Sequence, residues 1–198
     1  MQLKKTVDEA FATAANGADD AVGVESSKWY IAIVNNHSER ICSEKLTALG
    51  YENYVPTQTV IHKWKNGKTK TIDQVVLSSM VFIRTTEHNR KARLVTLPFI
   101  KRFMTDPARK GASPVAVVPE TQMKAFRFMM EHADSPVLVG PAVIKQGDRV
   151  RVVSGRLTGM EGIVSRSPEG KSRLYLSLDI LGSASVEIDR NCLEPLNN

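Results

Sequence analysis

The chain changes its pattern of apolar and polar positions part-way along. From Trp29 to Val34 a continuous aromatic and β-branched run predicts a buried strand. Asn36 follows as a helix N-cap, with Glu39 three residues on in capping-box spacing. Ile41, Cys42, Leu46 and Leu49 fall on one face of that helix, and Gly50 stops it. Tyr51 to Pro56 returns as a strand. Thr59 to Trp64 and Lys68 to Leu77 flank Asn66-Gly67, a pair suited to a type I′ hairpin turn because both central residues need φ > 0. Met80 to Ile83 is a further strand, residues 86–97 a short helix ended by Pro98, and Phe99 to Met104 another strand. Pro107, Gly111 and Pro114 mark a loop over residues 105–116. Pro119-Glu120-Thr121 starts a helix with Met123, Phe126 and Met130 on its inner face.

Residues 133–146 break this rhythm. They hold Pro136, Gly140 and Pro141 without a helical period, and Val137-Leu138-Val139 is placed to add a strand to either neighbour. Beyond them the strands are short and separated by glycines: Val150–Val153, Gly162–Ser165, Leu174–Leu178 and Val186–Ile188. Such spacing predicts a small β-barrel. The expectation is an α+β chain, with an antiparallel sheet and its helices followed by a small SH3-like barrel. The expected division is a flexible tail over 1–27, a first domain over 28–132, a linker over 133–146 and a second domain over 147–198. The tail carries a candidate helix from Thr6 to Ala15 but too little apolar surface to offset ordering it.

Composition narrows the function. Hydrophobic residues make up 42% and charged residues 24%, the balance of an ordinary globular protein. No apolar run approaches the roughly 20 residues of a membrane span. The N-terminus has no continuous apolar stretch after Lys4 and Lys5, so a cytoplasmic location is expected. Cys42 and Cys192 lie far apart and read as two reduced thiols. His37, His62, His88 and His132 are scattered, with no HExxH, GxSxG or P-loop pattern, so no catalytic residue, metal or cofactor is expected. The net charge of +6 favours polyanionic partners. Lys4 and Lys5 stand against Asp8, Glu9, Asp19, Asp20 and Glu25, so the excess basic charge lies beyond the tail.

The run Gly147-Asp148-Arg149-Val150-Arg151-Val152-Val153-Ser154-Gly155-Arg156-Leu157-Thr158-Gly159-Met160-Glu161-Gly162-Ile163-Val164 resembles the KOW motif. Val150 and Val152 alternate into a core, and Gly155, Gly159 and Gly162 fit a tight turn and a return strand close to its neighbour. Lys28-Trp29-Tyr30 opening a strand, then a helix, then Tyr54-Val55-Pro56-Thr57, is similar to the N-terminal (NGN) domain of the NusG family of transcription elongation and antitermination factors. Lys171-Ser172-Arg173-Leu174, Ile180-Leu181-Gly182 and Val186-Glu187-Ile188 extend the resemblance to about residues 28–196. Among paralogues the chain looks most like the UpxY branch, antiterminators of capsular polysaccharide operons. One departure stands out: many relatives carry an aromatic-aromatic-Pro-Gly-Tyr run where this chain has Val76, Leu77, Ser78, Ser79 and Met80.

The resemblance implies a monomer that binds the clamp helices of the largest RNA polymerase subunit, suppresses pausing and promotes read-through. Tyr30, Ile33, Val76, Met80 and Phe82 are the expected contact surface, although strand period 2 turns about half of such residues inward. Lys63, Trp64, Lys65, Lys68 and Lys70, with His62, form a basic hairpin suited to non-template or upstream DNA through phosphates and stacking. Arg90, Lys91, Arg93, Lys101 and Arg102 form a second basic group. Leu157, Met160 and Ile180 match positions that in relatives bind a small-subunit ribosomal protein or Rho. Some relatives refold this domain into a helical hairpin, but Val152, Val153, Ile163, Val164 and the three glycines favour strands here. The competing reading is a ribosome-associated KOW-domain RNA-binding protein, which accounts for the charge but not for the first half of the chain.

Overall fold

The aromatic and β-branched run at Trp29 forms β1 (Lys28–Ile33), the centre of the first sheet. The computed structural model describes residues 25–64, 67–108, 114–140, 147–167 and 170–196. The candidate helix from Thr6 to Ala15 and most of the expected tail lie outside them. β1 pairs antiparallel along its length with β5 (Met80–Thr85), and β5 pairs with β2 (Glu52–Tyr54). On its other edge β1 pairs with two short strands, β6 (Arg102–Phe103) and β7 (Val117–Val118).

Period-2 alternation splits β1 between two cores. Tyr30, Ala32 and Val34 face α1 (Glu39–Ala48), packing in one cluster with its Cys42 and Leu46. Trp29 and Ile31 face α3 (Glu120–His132), in a second cluster with Met123, Phe126 and Met129. The Trp29 indole N–H donates to Glu120 at 2.9 Å, which fixes the start of α3 against β1. Met129, rather than Met130, completes the buried stripe of α3; Met130 is half-buried.

Three local expectations change. The first helix has Ser38, not Asn36, at its N-cap position, without a side-chain capping bond, and Glu39 is its first residue. Ile41 and Leu49 of that helix are exposed, so its buried stripe is narrower than their spacing suggests. The segment 86–97 divides into α2 (Glu87–Ala92), capped by the Thr86 hydroxyl, and a 3-10 turn (Leu94–Thr96).

β3 (Thr57–Lys63) and β4 (Thr69–Val75) form a separate two-stranded sheet. Trp64 N–H donates to the Lys68 carbonyl and Gly67 N–H to the Trp64 carbonyl, with Gly67 at φ 80°. The register therefore continues to 64 opposite 68, and the expected Asn66-Gly67 turn falls between them. Lys65 and Asn66 lie outside the described residues.

The second sheet is antiparallel and six-stranded, in the order β13-β9-β10-β11-β12-β8. It comprises β8 (Leu138–Gly140), β9 (Asp148–Val152), β10 (Glu161–Arg166), β11 (Ser172–Leu178), β12 (Gly182–Glu187) and β13 (Leu193–Pro195). The apolar stretch at 137–139 thus joins this sheet, through β12. Val150, Val152, Val164, Leu174, Leu178, Ala184 and Val186 are all buried on one side of it. The glycines act as their spacing predicts. Gly155 and Gly159 have φ of 87° and 89°, and a Cβ on Gly162 would meet the Tyr175 carbonyl oxygen at 2.6 Å. The molecule is α+β: antiparallel sheets with three helices among the described residues.

Candidate functional site

The residues expected to form the contact surface divide between the two faces of the first sheet. Ile33 and Met80 are Cα partners in the β1–β5 ladder, both half-buried on the α3 side. Phe82 lies on the same face two residues further in, but it is buried, with its ring 6.1 Å from Phe126 and 6.2 Å from Tyr54. Val76 is half-buried in the turn after β4, where its N–H donates to the Pro56 carbonyl. Tyr30 is on the opposite face and buried, edge-on to Phe103. The structure therefore brings Ile33 and Met80 together and assigns Tyr30 to the α1 side.

Half-buried residues outside the expected surface also pack on the same cluster, Leu77, Phe128 and Met130 among them. Leu77 lies inside the 76–80 segment, so its position signalled it. Phe128 carried no signal, because it falls outside the i, i+3, i+7 stripe. Ser79, within the 76–80 segment, has φ 63°, a left-handed conformation uncommon for a residue with a Cβ.

Tyr30 sits in a charged cage. Arg90 is buried with its guanidinium carbon 5.6 Å from the Tyr30 ring centre and 5.2 Å from that of Phe103. Glu87 receives both Arg90 Nε and an Arg90 terminal nitrogen at 2.7 Å. The Arg90 bonds hold the Glu87 carboxyl down to about 2, and burial with Glu87 nearby pushes the Tyr30 phenol up to about 12. Arg90 is thus committed to the fold and leaves the second basic group, and Lys91 also pairs with Glu87 at 3.3 Å.

The hairpin is solvent-facing. Lys63, Trp64, Lys68 and Lys70 are all exposed, Trp64 at 55%. His62 and Lys70 are cross-strand partners, and the His62 ring meets Trp64 edge-on at 4.8 Å. By alternation His62, Trp64, Lys68 and Lys70 share one face and Lys63 points from the other. Ile61, also on that other face, is 77% exposed. Lys65 lies outside the described residues.

In the connections of the second sheet, Leu157 and Met160 are buried and Ile180 is half-buried against the same cluster that includes α3. The two halves of the chain also share polar contacts. The Asp179 N–H donates to the Gln122 side chain at 3.2 Å, the Glu187 N–H to the Ser135 hydroxyl at 3.2 Å, and Arg156 pairs with Asp134 at 3.2 Å. Among the described residues no group of three or more His, Cys, Asp or Glu side chains is arranged to hold a metal, and no helix is long and apolar enough to cross a membrane.

A family model described as "Transcription termination factor nusG" matches residues 27–127, half of the chain. No curated protein matches. Among solved structures, "Domain interaction in Thermotoga maritima NusG" aligns at 15% identity and a TM-score of 0.45, covering 88% of this chain and 100% of that one. A conformation of the MjSpt4:Spt5 complex aligns at 10% identity and a TM-score of 0.26, covering 86% of this chain and 97% of that one.

Proposed function

The chain belongs to the NusG family of transcription factors, and from that premise we propose that it is a non-enzymatic elongation and antitermination factor that binds the clamp helices of RNA polymerase. The observation that carries the reading is the apolar edge at Ile33, Leu77 and Met80, on the face of the family-matched sheet that packs against α3. A factor that binds the elongating conformation better than the paused one shifts the population by that difference, with no bond chemistry of its own. Pausing shortens and read-through rises. Tyr30 and Phe82 then support the surface from within, and Val76 borders it.

In this reading residues 28–132 form the NGN domain and 147–198 the KOW domain, joined through 133–146. Trp64 and the lysines around it contact non-template or upstream DNA. Leu157, Met160 and Ile180 serve a protein partner of the KOW domain, a small-subunit ribosomal protein or Rho. The resemblance to the UpxY branch supports action at capsular polysaccharide operons. The direct test is affinity for purified bacterial RNA polymerase, with an isolated clamp-helix fragment as competitor. Saturable binding displaced by the fragment supports the reading. Binding that the fragment leaves untouched, or binding to ribosomal subunits in its place, contradicts it.

A further inference from the structure

Glu39 opens α1 and is only 3% exposed. One of its carboxylate oxygens, Oε1, accepts two backbone N–H groups, from His37 at 3.2 Å and from Ser79 at 2.5 Å. The donors belong to different turns: His37 lies between β1 and α1, and Ser79 between β4 and β5. They are also the two non-glycine residues at positive φ among the described residues, at 62° and 63°. That region is disfavoured for residues with a Cβ and persists where surrounding structure over-determines it. Here one buried oxygen holds both. The Ser79 carbonyl in turn accepts from Val34 N–H at 2.9 Å, so the turn is tied at Ser79 to both the end of β1 and the start of α1.

The turn so tied is the one that presents Leu77 and Met80. Its sequence has no proline to preset φ and no glycine to accept a left-handed conformation freely. Its shape must therefore be imposed from outside. We propose that Glu39 is a positioning residue for the polymerase-contact surface: by clamping the Ser79 amide it sets the 76–80 turn, and with it Leu77 and Met80, without itself touching the partner. This inference rests on the clamp-helix reading given above.

A purely electrostatic role at the start of a helix is open to any carboxylate. Positioning depends instead on reach and on an acceptor oxygen. Glutamine keeps both, since its amide oxygen also accepts two bonds. Aspartate keeps the charge but is one methylene short. The two roles therefore predict opposite outcomes for the two conservative variants.

The test measures affinity of the full chain for RNA polymerase, with circular dichroism and thermal unfolding of each variant alongside. Glu39→Ala is expected to weaken binding about tenfold, the scale of losing a hydrogen bond to a charged acceptor. Glu39→Gln is expected to stay within about threefold of the unaltered chain, and Glu39→Asp to resemble Glu39→Ala. Adding Ser79→Gly to Glu39→Ala is expected to recover most of the affinity, because glycine adopts the left-handed turn unaided. Should Glu39→Ala fail to fold, Glu39→Asp with and without Ser79→Gly provides the same comparison. Undiminished binding by Glu39→Ala, normal binding by Asp with weak binding by Gln, or no rescue by Ser79→Gly would each overturn the proposal. If the unaltered chain does not bind polymerase, the clamp-helix reading falls and this proposal with it. If it binds and Glu39→Ala binds equally well, the proposal falls alone.

Discussion

Ile33 and Met80 face each other across the last rung of the β1–β5 ladder, each half-buried on the side of the sheet that packs against α3. Phe82 shares that face but is buried. The three residues therefore separate contact from core. Met80→Asp is expected to reduce polymerase affinity by more than tenfold while far-UV circular dichroism stays native, because a desolvated charge at a protein interface is strongly unfavourable. Phe82→Ala is expected to cost about 4 kcal/mol of stability in denaturant unfolding, the range for emptying a buried aromatic site. Unchanged binding by Met80→Asp removes Met80 from the surface.

Acid stability should report the Glu87–Arg90 pair. The Glu87 carboxyl is lowered from an ordinary 4.5 to about 2, chiefly by its bonds from Arg90. A carboxyl depressed in the folded state contributes stability above its unfolded value and loses it as pH falls through the folded value. The contribution is therefore complete above about pH 4.5 and gone below about pH 2. Glu87→Gln is expected to flatten the pH dependence of unfolding in that window. At neutral pH Glu87→Ala should cost about 3 kcal/mol, because it leaves the buried Arg90 charge without its partner. Denaturant titrations across pH 2 to 7 measure both.

The hairpin should bind nucleic acid without contributing to the core. Trp64→Ala is expected to weaken binding of single-stranded DNA by about 1 to 3 kcal/mol, the scale of one base–aromatic stack. Lys70→Ala should reduce the dependence of affinity on salt, since each phosphate contact releases counterion. Neither should move the melting temperature appreciably, because both side chains are exposed. Affinity that is insensitive to salt contradicts a phosphate-reading hairpin.

Two glycines of the second sheet should fail for different reasons. Gly162→Ala pushes a methyl group to 2.6 Å from the Tyr175 carbonyl oxygen on the neighbouring strand. It is expected to destabilise by about 1 to 3 kcal/mol through overpacking. Gly155→Ala meets nothing within 4 Å but sits at φ 87°, so its cost of about 1 kcal/mol is conformational. Thermal unfolding of the two variants checks the order.

These contrasts show what was legible in the sequence. Buried strands such as β1 and β5 were plain, because period and β-branching agree with full burial. The hairpin was located correctly, because two alternating strands flank Asn66-Gly67. The expected strand from Phe99 to Met104 is reduced to a two-residue β6, Arg102–Phe103, paired antiparallel with β1, and no local pattern encodes so short a pairing. Which face a strand residue takes was harder still. Tyr30 and Ile33 look equivalent in sequence, yet three positions apart on a strand means opposite faces. Glu39 spaced from Asn36 resembled a capping box; its carboxylate instead reaches Ser79, forty residues away. Long-range partners of that kind leave no signature in spacing.

Single-round elongation by purified bacterial RNA polymerase, with and without this protein, tests the central claim most directly. The template should carry strong pauses, a downstream terminator and the factor's own leader. Clamp binding predicts shorter pause lifetimes and more read-through, both lost with Met80→Asp. Unaltered pausing and termination on every template, with the protein found on ribosomal subunits, would contradict the account.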